Sequence, residues 1–147
     1  MPPIDGRRLT RTDASSADAG YGPNMFDDVL AANEAFYDAH ERRDLDAMGE
    51  VWDHTDAVVC THPGWPILRT WSVVGESWRR IFEGGGRNQF IITNVVATGG
   101  PDVVWVTLDE NLMQEAATGT VAATNVFIRT DLGWKIVLHH GSPVMGS

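Results

Sequence analysis

Gly133-Trp134-Lys135-Ile136-Val137-Leu138-His139-His140-Gly141-Ser142-Pro143 is the stretch whose reading decides the fold. It reads as a final β-strand ending in two adjacent histidines. Side chains alternate along a strand, so these two point to opposite faces. His140 falls with Trp134, Ile136 and Leu138, and His139 with Lys135 and Val137. In a sheet that packs against the rest of the domain, one histidine is carried inside. A second histidine corner, Thr61-His62-Pro63-Gly64-Trp65-Pro66, lies far away in sequence at another predicted strand end.

Working back from the last strand, the period of the pattern is two. Segments at about 88–98, 102–115, 120–130 and 134–142 are separated by Gly99-Gly100-Pro101, Thr118-Gly119 and Asp131-Leu132-Gly133, which are hairpin signals. A three-residue loop at Asp131–Gly133 pairs Thr130 with Trp134. Counting back sets Asn125 opposite His139 and Thr124 opposite His140. A two-residue turn at Thr118-Gly119 pairs Ala117 with Thr120, which puts Glu110 and Leu112 on the face of Asn125 and Phe127. One face therefore collects Glu110, Asn125, Phe127, Val137 and His139. The other collects Trp105, Thr124, Val126, Trp134, Ile136 and His140.

Ahead of the strands the period is that of a helix. Asn24 reads as an N-cap, with Asp27 and Asp28 at the positive end of the helix dipole. Phe26, Val29, Leu30, Asn33, Phe36, Tyr37 and His40 form one stripe. Asn33 and His40 read as hydrogen-bonded edge residues of that stripe, and Tyr37 as able to reach a pocket. A short helix follows at Asp44, with Leu45, Met48, Val51 and Trp52 inward. A strand at 57–61 and the rigid His62–Pro66 corner come next. A third helix over about 71–83 carries Val74, Trp78, Ile81 and Phe82 on one face. Helices first and a meander afterwards specify an α+β domain with helices on one face of an antiparallel sheet.

The chain has 147 residues, enough for one domain with a sizeable core, and 43% of them are hydrophobic. A net charge of −9 with no basic patch argues against a nucleic-acid partner. No apolar run approaches the ~20 residues that span a bilayer, so no membrane partner is expected. Cys60 is the single cysteine, which suits a reducing cytoplasm and reads as a buried apolar residue. Residues 1–23 are rich in Pro, Ser, Asp and Gly without periodicity and read as a flexible tail, leaving 24–147 as the folded domain. Six tryptophans suit a large pocket, a buried self-association surface, or both.

The order of these pieces resembles a known family. The residues concerned are Leu45–Trp52, Cys60–Trp65, Ser77-Trp78 with Ile81-Phe82, Glu110-Asn111, Ala123-Thr124-Asn125-Val126-Phe127, and Trp134 to Pro143. Together, over roughly residues 25–145, they resemble the NTF2-like superfamily in its SnoaL-like branch. The resemblance implies a curved sheet wrapped around the long helix, forming a cone with a central pocket. It also implies activities ranging from isomerase, dehydratase, cyclase and hydrolase to non-catalytic association domains. The paired Asp and Tyr of the ketosteroid isomerases and the Asp-Arg-Asp set of the epoxide hydrolases have no counterpart here.

The first face, with Glu110 and Asn125 in mid-strand, is assigned to the pocket, because buried polar groups there need partners. Glu110, His139 and His62 are the candidate catalytic residues: a carboxylate and imidazoles whose pKa values burial can bring toward neutrality. Asn125 would orient a carbonyl or a water. Tyr37, Trp65, Trp78 and Phe127 would supply walls for a small apolar or cyclic molecule, and His140 is kept as a further ligand-binding candidate. No cofactor is implied. No metal site is expected either, since His62, His139, His140 and Glu110 lack a ligand-spacing motif. The second face, with Trp105, Val126, Trp134 and Ile136, reads as a homodimer surface. The alternative to an enzyme is a ligand-binding or oligomerisation module, since the end of the chain resembles a calcium/calmodulin-dependent kinase association domain: a Trp, then a strand with closely spaced histidines and a Ser.

Overall fold

The computed structural model describes residues 24–84, 89–113 and 118–146. The tail reading for 1–23 lies outside the described residues, as does the loop between the strands on either side of 114–117. Among the described residues three helices, α1 (Asn24–Arg42), α2 (Leu45–Val51) and α3 (Trp71–Glu83), pack with six strands. The strands are β1 (Val59–Thr61), β2 (Leu68–Arg69), β3 (Phe90–Gly99), β4 (Val103–Met113), β5 (Thr118–Thr130) and β6 (Gly133–Pro143). Their order in one open sheet is β2-β1-β6-β5-β4-β3. This is the expected α+β cone, with one refinement. β1 runs parallel to β6, so the sheet is mixed. No hairpin joins those two strands, and nothing local fixes their relative direction.

The predicted stripe of α1 is the axle of the core. Phe26, Val29, Leu30, Asn33, Phe36 and Tyr37 are all buried. The helix ends where Arg43 takes a left-handed backbone, φ 54°, and the Asp44 N–H bonds back to the Ala39 carbonyl at 3.0 Å. Arg43 then reaches across to α3, donating to the carbonyls of Ile81, Phe82 and Gly84 at 2.8–3.2 Å. Those carbonyls lie at the helix C-terminus, where Ile81's also accepts the Gly84 N–H at 3.2 Å, and one guanidinium both closes α3 and ties it to α1. Asp44 caps α2 by accepting from the Ala47 N–H at 2.9 Å. No helix of the described residues is long and apolar enough to cross a membrane.

The register differs from expectation at both hairpins, with opposite consequences. Thr120 lies opposite Asn111 rather than Ala117, because β4 and β5 pair as far as Met113 and Thr118. Positions 117 and 111 differ by six, an even number, so the faces survive and Glu110 still shares one with Asn125 and Phe127. In the last hairpin Thr130 pairs with Gly133, not Trp134. A β-bulge then places Val137 as an extra residue between the Phe127–Ile136 and Val126–Leu138 pairs. The bulge restores the expected pairs of Asn125 with His139 and Thr124 with His140. It also corrects three assignments. Ile136 lies fully buried in the core and not on the outer face, Trp134 shares its face and packs half-buried against the core, and Val137 is only half-buried.

Candidate functional site

The inner face of the sheet carries a row of polar groups under α1. Asn33 and Tyr37 are one helical turn apart and point the same way. Asn125 sits at the middle of β5, Glu110 on β4 and His139 on β6; all five are buried. The Tyr37 hydroxyl donates to Glu110 Oε2 at 2.6 Å. Asn125 Nδ2 donates to Asn33 Oδ1 at 2.9 Å and to the Tyr37 hydroxyl oxygen at 3.2 Å. With its amino group committed there, Asn125 turns Oδ1 toward His139, 2.6 Å from Nδ1. Only an N–H can donate to that oxygen, so His139 carries its proton on Nδ1 and keeps a lone pair on Nε2. Among the described residues Glu110 Oε1 and His139 Nε2 have no hydrogen-bond partner.

Electrostatics follow from burial. Glu110 is the one buried carboxylic acid among the described residues, and no buried Lys or Arg accompanies it. Loss of water pushes its carboxyl up to about 7, against the opposing pull of the Tyr37 hydrogen bond. Burial, and then the Glu110 charge, hold the Tyr37 phenol well above its ordinary value. His139 is held well below the usual imidazole range by burial first and by neighbouring histidines second. It is therefore neutral at physiological pH.

His62 belongs to the adjacent part of the interior. His62-Pro63-Gly64-Trp65 is a tight turn, with the Trp65 N–H donating to the His62 carbonyl at 2.8 Å and Gly64 at φ +83°. The turn folds Trp65 back onto His62, ring centroids 4.9 Å apart, while Trp78 meets the other side at 4.6 Å. His62 Nε2 lies 2.8 Å from Ser77 Oγ, and Ser77 Oγ also lies 2.6 Å from the Val74 carbonyl. The Cys60 sulfur is 3.7–3.8 Å from the His62 ring nitrogens. Burial lowers His62 to about 4 and raises the Cys60 thiol. The His62 and His139 rings are 6.5 Å apart, with Trp78 beside both.

The two histidine regions of the sequence thus meet. The structure brings Glu110, His139, Asn125 and Tyr37 into one hydrogen-bonded cluster, with His62 and Trp78 next to it. Phe127 is on the same inner face, two residues along β5 from Asn125, and Trp65 lies at the His62 corner. His140 is exposed on the opposite face and is not part of this assembly. Asn33, read from sequence as an edge residue, is a central partner of Asn125. Its i, i+4 spacing to Tyr37 was the available signal. Ser77 was missed as a partner of His62; the signal was a hydroxyl interrupting the apolar face of Val74 and Trp78. No group of three His, Cys, Asp or Glu among the described residues is arranged to hold a metal ion. Two clefts, of about 680 Å³ along α2 and α3 and about 450 Å³ beside Trp52, contain none of the cluster residues.

This architecture has known relatives. A candidate dehydratase of the NTF2-like family from Streptomyces avermitilis is 34% identical, with a TM-score of 0.77 over 84% of this chain and 98% of that one. A candidate calcium/calmodulin-dependent protein kinase type II association domain from Thiobacillus denitrificans is 39% identical, with a TM-score of 0.72 over 78% of this chain and 94% of the other. The F-box protein SKIP8 of Arabidopsis thaliana is 27% identical over 117 residues, 80% of this chain, and the chain spans about half the length of that curated relative. The SnoaL-like domain model matches residues 29–146, which include every residue of the cluster. The chain belongs to the SnoaL-like domain family of NTF2-like proteins.

Proposed function

We propose that this protein binds a small, largely apolar molecule in its cone and moves protons on it without a cofactor. Glu110 and His139 are the proton-moving groups, with His62 beside them. The observation that carries the reading is the state of Glu110: a buried carboxyl, without a cation, poised near neutral pH, with one oxygen left over. Such a group both takes and returns a proton at pH 7. Holding a carboxyl there disfavours its charged form, so stability alone does not account for its presence. The free Nε2 lone pair of His139 accepts a hydrogen bond or a proton, Asn125 fixes the tautomer, and Tyr37, Trp65, Trp78 and Phe127 supply the walls. Among isomerisation, dehydration, cyclisation and hydrolysis, loss of water is favoured by the likeness to the candidate dehydratase.

The test is a panel of small cyclic hydroxyketones incubated with the protein and with Glu110→Gln and His139→Phe. Enone absorbance that grows with the natural protein and with neither variant supports the reading. Equal behaviour of all three proteins overturns it.

A second reading, a non-catalytic ligand-binding or association module, is favoured by one observation. Asn125 closes onto Asn33, Tyr37 and His139, so most of the cluster satisfies itself. The likeness to the candidate kinase association domain points the same way. In either case we propose a cytoplasmic homodimer formed through the outer sheet face, where Ile91, Val103 and Trp105 stand exposed. Light scattering on the protein and on Trp105→Asp tests this. A dimer mass that drops to the monomer in the variant supports it, and a monomer in both removes it.

A further inference from the structure

A third cleft, of about 350 Å³, opens between the His62–Trp65 corner and α3. Its walls include Trp65, Leu68, Val73, Ser77 and Arg80. Ser77, 3% exposed, is common to the lining of this cleft and to the hydrogen bond with His62, so a serine of the cleft wall is backed by an imidazole at 2.8 Å. That is the spacing of a nucleophile and its base.

The proton pattern around the pair has two consistent settings. In one, Ser77 donates to the Val74 carbonyl and His62 Nε2–H donates to Ser77 Oγ, with the Cys60 sulfur 3.7–3.8 Å from both ring nitrogens. In the other, the imidazole proton has moved from Nε2 to Nδ1, and the hydroxyl swings from Val74 to the bare Nε2. The hydroxyl's part of the change is a rotation about one C–O bond, between oxygen and nitrogen atoms at 2.6 and 2.8 Å, and the imidazole's part is the change of tautomer. His62 itself is pinned between Trp65 and Trp78, so the base does not have to be ordered at the moment of use. Arg80, held 5.9 Å over the Trp65 ring, brings the positive charge of the cleft. Glu76, the acid of the same cleft, is already engaged by Arg79.

We propose that Ser77 is a nucleophile served by His62, and that the cleft in front of it takes carboxylic esters with small apolar acyl groups. Ser77 Oγ bonds to the ester carbonyl carbon while its proton passes to His62 Nε2. The carbonyl oxygen becomes an oxyanion on the side of Arg80. The bond from carbon to the alkoxy oxygen breaks, and His62 returns the proton to the leaving alcohol. Water then attacks the acyl-serine by the same route, releasing the acid and restoring Ser77. The sum is ester plus water giving acid plus alcohol, with no oxidant or reductant. The apolar walls Leu68 and Val73 suit the acyl group, and the cleft volume limits its size.

The experiment uses p-nitrophenyl acetate as substrate and phenylmethylsulfonyl fluoride as covalent probe on the full chain. The expected result is release of nitrophenolate and one sulfonyl adduct per chain, mapped by peptide mass spectrometry to Ser77. His62→Gln should slow nitrophenolate release about a hundredfold, the contribution of a positioned base. Ser77→Ala should abolish the adduct. Ser77→Cys keeps a nucleophile at the same place and should become acetylated by the ester, which keeps the test decisive if the alanine variant fails to fold. An adduct mapped elsewhere, an unmodified chain, or a Ser77→Cys thiol that stays free overturns the proposal. Neither readout needs a substrate of the Glu110 cluster, so failure of that function and failure of this one are read separately.

Discussion

Asn125 holds His139 from the neighbouring strand: its Oδ1 accepts the Nδ1–H across 2.6 Å, while its amino group is spent on Asn33 and Tyr37. One amide therefore sets the tautomer of the histidine and the position of the phenol that bonds Glu110. Removing it strands three partners, and removing His139 strands one.

His139→Phe keeps a flat ring of similar bulk against Phe36 and Trp78, and leaves only Asn125 Oδ1 without its donor. Its expected cost is about 1–3 kcal/mol, that of one stranded buried group. Asn125→Leu should cost clearly more, because Asn33, Tyr37 and His139 all lose a partner. Urea midpoints rank the two variants. Equal stabilities would contradict the hydrogen-bond assignment.

Glu110 makes stability depend on pH in a defined direction. Its folded pKa, about 7, lies above the ordinary 4.5, so the folded state holds more protons between those values. Its stabilising contribution is present at low pH and is lost as pH rises from about 4.5 through 7, a loss of about 3 kcal/mol. The buried histidines work the other way. Those of His40 and His62 are lowered to about 4 from 6.5, and they destabilise the fold as pH falls through that range. The two effects oppose each other below about 6.5, and Glu110 acts alone above it. Glu110→Gln should therefore gain on the natural protein in denaturant midpoint between pH 6 and pH 8. A variant that loses ground over that interval would refute the raised carboxyl.

Gly141 is where the His62 corner touches β6. A Cβ there would lie 3.0 Å from Val121 Cγ1 and 3.1 Å from Pro63 Cγ. Pro63 is part of the tight turn and Val121 is packed in the sheet, so neither retreats freely. Gly141→Ala should cost about 1–3 kcal/mol, the usual range for overpacking. Thermal melting measures it, with Gly119→Ala as comparison, since a Cβ at Gly119 meets nothing within 4 Å.

Arg43→Met keeps most of the stem and removes the donors to the last carbonyls of α3. Those carbonyls lose a charged partner, and a loss of about 1.5–3 kcal/mol is expected. Hydrogen exchange should locate the loosening at the C-terminal turn of α3. Protection unchanged there would mean that the guanidinium contributes nothing to that helix end.

The sequence by itself determined the kinds of element and the inner face. The 3.6-residue stripe from Phe26 to Tyr37 and the alternation through Glu110, Asn125 and His139 are local properties of the chain, and burial follows them. Parity protected the face assignment even where the β4–β5 register was displaced by six residues. In the last hairpin a shorter turn and a bulge at Val137 cancelled, so the Asn125–His139 pair survived while Ile136 changed sides. A bulge is paid for by packing around it, which no count along the strand contains. Only the tertiary structure decided who bonds whom. Tyr37 and Glu110 are 73 residues apart, and Asn33 and Asn125 are 92 apart. Hydrogen bonds at such separations depend on how α1 lies across the sheet, and that angle is set by the whole core. The same holds for Ser77, whose hydroxyl acquires a meaning only when the His62 turn is folded against α3.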